Sequence, residues 1–407
     1  MNEVGRNLAY TAMLLLALWA VSYFWPSDKV EEISLEPALL NPTISVELTA
    51  LRDLDRIAVE ITGRCRLVNA EDPQRPVLKE LHDVDEDLYL TLVGPQLGPY
   101  IMHQKHVILE AEGDNAMRLN TYFYPGRLHI RVKEDKKSRL GQRLQLSLEL
   151  PLEDYVLGVV CGEMSSQVPG SAAALRAQAV AARTYALYRL GQGRNLRDNT
   201  TDQVFQSIDF VTKEALEAVA STRGLVLRWK DQLLPTYFHR NCGGGTANAE
   251  AAAFFRKETT PLAGVFEPAC RTPRGLWEHR VPATDLDELA RQRELGSWLR
   301  AISVLHKDAT GRWLEVRLLG PDDHVDLPAD QVRAALHFPS TQVTDMERHA
   351  DGSLVFRGYG YGHGVGLCQE GALRLSRSQA TYAEILAHYY PSAQLVPLTA
   401  DLELLLP

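Results

Sequence analysis

One carboxylate in this sequence stands where its chemistry would be altered. Leu152, Val156, Val159/Val160 and Glu163 recur at i, i+4, i+7/8 and i+11, so an α-helix would align Glu163 with an aliphatic stripe. Poor solvation there raises a carboxyl pKa toward the range where the group still holds its proton near neutral pH. A general acid that protonates a glycosidic oxygen needs that property. The same spacing also fits a fraying helix end that reaches water, or a carboxylate paired with an arginine. Arg183 poses a related question, because its helical neighbours are Ala179, Val180, Ala186 and Leu187. A guanidinium among such residues needs an anionic or carbonyl partner, Glu163 being one candidate, or a route to solvent.

Two further groups could carry chemistry. Phe238-His239-Arg240-Asn241-Cys242-Gly243-Gly244-Gly245 places a His and a Cys three residues apart at a tight turn. With the distant Cys270 and Cys368 they supply three thiols and an imidazole, the donor set of a tetrahedral zinc site, although paired CxxC knuckles are missing. A disulfide among the three is the competing reading for an exported protein. In the run from Gly358 to Gln369, alternating glycines present His363 and Gln369 without flanking bulk. No βαβ context surrounds the run, which excludes a dinucleotide fingerprint.

The elements that must position these residues fall into two styles. From Pro42 to Leu150, apolar residues alternate, as in Ile44-Val46-Leu48 and Leu128-Ile130-Val132, which predicts a β-rich region over 40–148. Pro151 then opens a helix with Glu153 and Asp154 in its first turn. An Ala-rich helix is expected from Ser171, its N-cap, to Leu190, stopped by Gly191. After it come a helix near 212–221, a hairpin of Leu225–Trp229 with Leu233–His239, an irregular α+β insertion near 281–350, and a strand at Leu354–Arg357. The last helix is announced by the capping box Thr381-x-x-Glu384. The expected fold class is mixed α+β, with a β-rich N-terminal part and an α/β core over 149–395 that forms a cleft.

Composition narrows the function. The 407 residues are 45% hydrophobic and 23% charged, close to the average for a folded soluble protein, which excludes a disordered or polytopic membrane chain. A net charge of −9 without a dense Lys/Arg run makes nucleic acid an unlikely partner. The five cysteines are too few for a disulfide scaffold. Leu8 to Trp25 is uncharged and ends in Tyr23-Phe24-Trp25, so segment 1–30 reads as a membrane anchor or, if cleaved after Ala20-Val21-Ser22, a signal peptide. Both place the bulk of the chain outside the cytoplasm.

Four blocks then resemble, in order and separation, the stage II sporulation protein D family, which also includes the amidase-enhancer proteins. They are Leu150-Pro151-Leu152-Glu153-Asp154-Tyr155-Val156 through Gly162-Glu163-Met164; Leu175-Arg176-Ala177-Gln178-Ala179-Val180-Ala181-Ala182-Arg183-Thr184-Tyr185-Ala186; Phe238-His239 with Cys242-Gly243-Gly244; and Gly360 through Gln369 with His388-Tyr389-Tyr390-Pro391. The resemblance covers about residues 120 to 395. It implies a peptidoglycan lytic transglycosylase that cleaves between N-acetylmuramic acid and N-acetylglucosamine in peptide-stripped strands, leaving 1,6-anhydro ends. Glu163 matches that family's catalytic acid. Gln178, Arg183, Tyr185, His363 and Gln369 become candidates to bind substrate. One structural zinc on His239, Cys242, Cys270 and Cys368, and a cell-wall amidase as partner, are further implications. The alternative is a non-catalytic wall-binding module or amidase activator.

Overall fold

A computed structural model describes residues 41–398 apart from 52–53, 55, 85–88, 92–95, 98–99, 102, 112–115, 137–140, 249–261 and 263. The apolar segment at 8–25 lies outside these residues. Among the described residues no helix is long and apolar enough to cross a membrane.

The alternating N-terminal pattern forms a 12-stranded sheet. Its path starts at Leu196–Arg197, passes through Thr43–Glu47, Gln142–Pro151, Arg127–Glu134, His106–Ala111 and Arg56–Asn69, and continues into three short strands. Register follows the apolar residues: Leu128 faces Leu148 and Ile130 faces Leu146 on one side, while Leu109 and Val107 meet the same two residues on the other. Leu109, Leu128, Ile130 and Leu146 are all buried in a core shared with Ile57, Val59 and Leu67. A slip of one residue would turn that set toward solvent.

This sheet and the helical region are joined without a linker. Strand Gln142–Pro151 runs directly into α1 (Leu152–Glu163), so the sequence boundary near 148 falls inside a strand. Pro151 occupies the cap position with φ −57° and ψ 145°, and the helix therefore begins one residue later than expected. α2 spans Ala172–Gly191 and α3 spans Lys213–Ser221, the latter capped by Thr212. Ser171 stands before α2 as expected, but its hydroxyl donates to Ser166 O (3.4 Å) and caps nothing. The expected hairpin is shorter than its sequence suggests. Leu225–Trp229 pairs with Gln232–Leu233 and Gln394–Pro397, whereas Phe238–His239 leaves to run parallel to Leu367–Cys368. Pro235, with no N–H to donate, separates the two halves.

The insertion proves to be organised around its own core. Helices α4 (Ala283–Gln292) and α5 (Ala329–Leu336) accompany two three-stranded antiparallel sheets between Leu276 and Tyr359. Leu286, Leu289, Val316, Val332, Phe338 and Phe356 pack at its centre. The chain then enters α6 (Gln369–Arg377) and α7 (Tyr382–Tyr389), where the Thr381–Glu384 capping box forms as expected. The fold is mixed α+β.

α2 holds these parts together. Ala174, Ala177, Ala179, Ala181, Ala182 and Ala186 are all inaccessible to solvent, because neighbours approach on several faces and only a methyl group fits between backbones. Polar side chains on such a helix need internal partners. Arg183 is fully buried and makes a two-pronged pair with Glu153, Nε to Oε1 at 2.7 Å and Nη2 to Oε2 at 2.6 Å. Its Nη1 donates to Leu225 O (3.1 Å), and Gly224 N donates to Glu153 Oε1 (3.3 Å). One ion pair thus ties α1, α2 and the strand at Leu225 together. Removing one partner of a buried pair strands the other charge. Glu153→Gln should lower the unfolding free energy by about 3–5 kcal/mol in urea titrations, whereas a change at the exposed Arg291–Glu288 pair should leave the urea midpoint almost unmoved.

Candidate functional site

Glu163 closes α1 on the stripe that its spacing implied. Leu152, Val156, Val159 and Val160 are buried and Glu163 is half-buried. Its carboxyl is gripped on both oxygens. Val204 N donates to Oε1 at 2.7 Å, and Gln369 Nε2 donates to Oε2 at 3.2 Å and is 3.5 Å from Gln178 Oε1. Gln178 on α2 and Gln369 at the start of α6 are both buried, so three separate elements converge on one carboxyl group. Burial raises its pKa, and the Val204 and Gln369 donors act in the opposite direction.

Val204 reaches the site because α1 has a glycine where the incoming loop touches it. A Cβ on Gly162 would lie 2.4 Å from Val204 O, so a side chain there would push the loop away. The loop is held elsewhere by Gln206 N to Gly158 O (3.1 Å), Gln203 Nε2 to Ala182 O (3.3 Å) and Thr49 N to Asp198 Oδ1 (2.9 Å). The sequence offered no sign of Val204, since its contribution is a backbone N–H.

The other expected residues divide into separate groups. Tyr185 and His363 are joined through Tyr237, with ring centroids 5.7 and 6.1 Å apart, and His363 meets His239 at 5.7 Å. Burial first, then neighbouring His239, Arg333 and Arg312, push His363 down to about 3, so the ring is neutral at physiological pH. Its Nδ1 accepts from Val365 N at 3.1 Å. The Tyr185 hydroxyl donates to Asp202 (3.1 Å), whose carboxylate also pairs with Arg189 (2.8 Å). Asp202 is therefore already committed as a paired anion. Arg183 is spent on Glu153, not on Glu163, and sits apart from the Glu163 contacts. Two cavities lie nearby, one of about 260 Å³ beside Ser166, Arg176 and Glu217 and one of about 400 Å³ beside Asp154, Gly158 and Phe205. Glu163 lines neither.

The cysteines form their own centre. Cys242, Cys270 and Cys368 come together with Glu267, their donor atoms all within 4.8 Å of one another. His239 lies beside this group but outside it. Its Nδ1 is 3.1 Å from Val365 O, while Nε2 is buried without a hydrogen-bond partner. Glu267 was missed in the sequence, although Glu267-x-x-Cys270 repeats the spacing of His239-x-x-Cys242. The thiols of Cys242, Cys270, Cys368 and the half-buried Cys161 are free. Hydrogen bonds from Cys270 and Cys368 hold Cys242 far below the usual thiol range.

The fold is mixed α+β, and the Glu163 carboxyl is held where α1, α2 and α6 meet. Comparison with known proteins identifies the family. The profile of the stage II sporulation protein family, SpoIID, matches residues 141–229, the stretch from the strand before α1 to the strand after α3. An uncharacterized protein of Brachyspira hyodysenteriae is 33% identical over 257 residues, covering 61% of this chain and 67% of that protein. Stage II sporulation protein D of Bacillus subtilis is 28% identical over 272 residues, covering 60% and 74% respectively. The amidase enhancer of Bacillus subtilis is 24% identical over 290 residues, covering 58% of this chain and 40% of that protein. The chain belongs to the stage II sporulation protein D family.

The raised pKa of Glu163 carries a stability consequence. The folded state holds this proton to higher pH than the unfolded chain, whose Glu titrates near about 4.3. Stability therefore declines as pH rises from there through the folded pKa, and the ionised group is a net cost at neutral pH. Glu163→Gln, which keeps an oxygen for Val204 N, should melt above the wild type at pH 7 in calorimetry, with the difference vanishing near pH 4.

Proposed function

We propose that this protein is a cell-wall enzyme, a lytic transglycosylase acting on peptidoglycan strands from which stem peptides have been removed. The observation that carries this reading is the setting of Glu163: one carboxyl group, half-buried, with its protonated form favoured by burial and its ionised form supported by two donors. Such a balance suits a group that must first give a proton and then take one back.

The chemistry follows from that single group. Protonated Glu163 gives its proton to the oxygen linking N-acetylmuramic acid to N-acetylglucosamine, and the bond from the muramyl anomeric carbon to that oxygen breaks. Val204 N–H and the Gln369 amide stabilise the carboxylate that remains. The muramyl 6-hydroxyl oxygen then bonds to the anomeric carbon, and its proton returns to Glu163. No water is consumed, and the leaving sugar departs with a free hydroxyl. Glycosidases that use water work with two carboxyl groups, whereas the carboxylates on the loop that carries Val204 are already engaged, Asp202 by Arg189 and Tyr185 and Asp198 by Thr49. Gln178 orients Gln369 and so acts on Glu163 at one remove. His363, neutral and flanked by Tyr237, is suited to contact an uncharged sugar.

Placement at the wall requires export, by an anchor or a cleaved signal at the N-terminus. The likeness to an amidase enhancer supports a link to an amidase, the class of enzyme that would strip the peptides. Glu163→Gln should abolish cleavage of naked glycan strands while leaving their binding within about twofold. Gln369→Leu removes a donor that lowers the Glu163 pKa, so the alkaline limb of its pH–rate profile should move to higher pH. Binding without cleavage by the wild-type protein would instead identify a wall-binding module or amidase activator.

A further inference from the structure

The group formed by Cys242, Glu267, Cys270 and Cys368 has properties that ordinary core packing does not require. All four side chains are almost wholly buried, with exposures of 0%, 3%, 6% and 0%. They come from three segments far apart in sequence: the turn after Phe238–His239, the short helical turn Pro268–Cys270, and the residue that opens α6. The sulfurs of Cys270 and Cys368 are 3.9 Å apart, and Cys242 Sγ is 3.7 Å from Glu267 Oε2. A disulfide would bring sulfurs to about 2.05 Å. A zinc tetrahedron with Zn–S near 2.3 Å and Zn–O near 2.1 Å has edges of roughly 3.8 Å between sulfurs and roughly 3.6 Å between sulfur and oxygen.

The surroundings also match a cation. Three thiolates and a carboxylate around a divalent ion leave an excess of negative charge, and two arginines face it. Arg374 pairs with Glu267 Oε1, and the buried Arg312 donates to Cys242 O at 2.7 Å. The Tyr389 hydroxyl donates to Glu267 Oε2 at 2.8 Å, and Cys242 N and Gly371 N both donate to Cys368 Sγ at 3.3 Å. Outer bonds of this kind orient metal ligands and stabilise their anionic forms. Gly364 permits the approach of Arg312: its φ is +83°, and a Cβ there would stand 2.5 Å from the guanidinium carbon.

We infer that Cys242, Cys270, Cys368 and Glu267 bind one zinc ion, with Glu267 and not His239 as the fourth ligand. Three soft thiolates with one oxygen suit zinc, and four donors converging on one point leave no room for a cluster. Four protein ligands close the coordination sphere, so the ion is structural. It joins the Pro268–Cys270 turn and the turn after Phe238–His239 to α6, whose first residue, Gln369, touches Glu163. His239 remains an outer neighbour of Cys242.

The test uses the purified full-length protein and zinc itself. Elemental analysis should find about one zinc per chain, and X-ray absorption should show three sulfurs and one light atom at the metal. Glu267→Gln should weaken zinc binding by more than the roughly 10–100-fold that loss of an outer partner costs, while His239→Ala keeps the ion. Should either variant fail to fold, the wild-type spectrum decides, because an imidazole ligand adds outer-shell multiple scattering that a carboxylate does not, and its presence would overturn the assignment. Chains that take up no zinc, a Cys270–Cys368 disulfide in the wild type, or loss of zinc only in His239→Ala would overturn the assignment. None of these readouts depends on glycan cleavage.

Discussion

The structure depends on a helix that must be buried on several sides. α2 meets α1, α3, α6, α7 and the strand at Leu225, and the aliphatic and aromatic bulk that usually fills a core would hold these neighbours apart. Alanine solves the spacing, but it leaves the helix's polar groups inside the protein, where each needs a partner. The partners are the elements that build the site. Arg183 fixes α1 through Glu153, Gln178 reaches Gln369, and Thr184 Oγ1 accepts from Leu227 N at 3.0 Å. Even the helix carbonyls take part, since Ala181 O accepts from Thr236 and Ala182 O from Gln203. Glu163 lies where these constraints intersect.

That geometry explains why the acid can be both raised in pKa and supported as an anion. Burial comes from the apolar stripe of α1. The two donors come from a loop that approaches a glycine and from the first residue of a helix 206 positions further along the chain. Each acts from a backbone or side chain whose own position is fixed elsewhere, so no reorganisation is needed when the charge appears. The Cys368–Gln369 step places the second donor directly beside the thiol centre. The donor to Glu163 and the thiol centre thereby share one turn of α6.

Much of this was legible in the sequence, for physical reasons that differ from residue to residue. The stripe ending at Glu163, the span of α2 and the Thr381–Glu384 box are local patterns, and local patterns determine local structure. Partner choice is not local. Arg183 could have met any of the three acids on α1, Glu153, Asp154 or Glu163, and Glu153 and Glu163, ten residues apart, project from different faces of the helix. Only the packing of α1 on α2 selects Glu153. Ser171 stands in the right place for a cap, yet its hydroxyl is drawn to Ser166 O. Val204 and Glu267 were hard to read for opposite reasons: one contributes a main-chain N–H that every residue except proline possesses, the other is an ordinary acid until two cysteines from remote segments join it and the nearby Cys270.

In the proposed reaction, one carboxyl group cuts a glycan strand without water. Mass analysis of products from peptide-free strands digested by the purified protein tests it most directly. The expected fragments end in 1,6-anhydro-N-acetylmuramic acid, each lighter by one water than a hydrolytic product. Fragments with ordinary reducing ends, or strands left uncut by the folded protein, would contradict it.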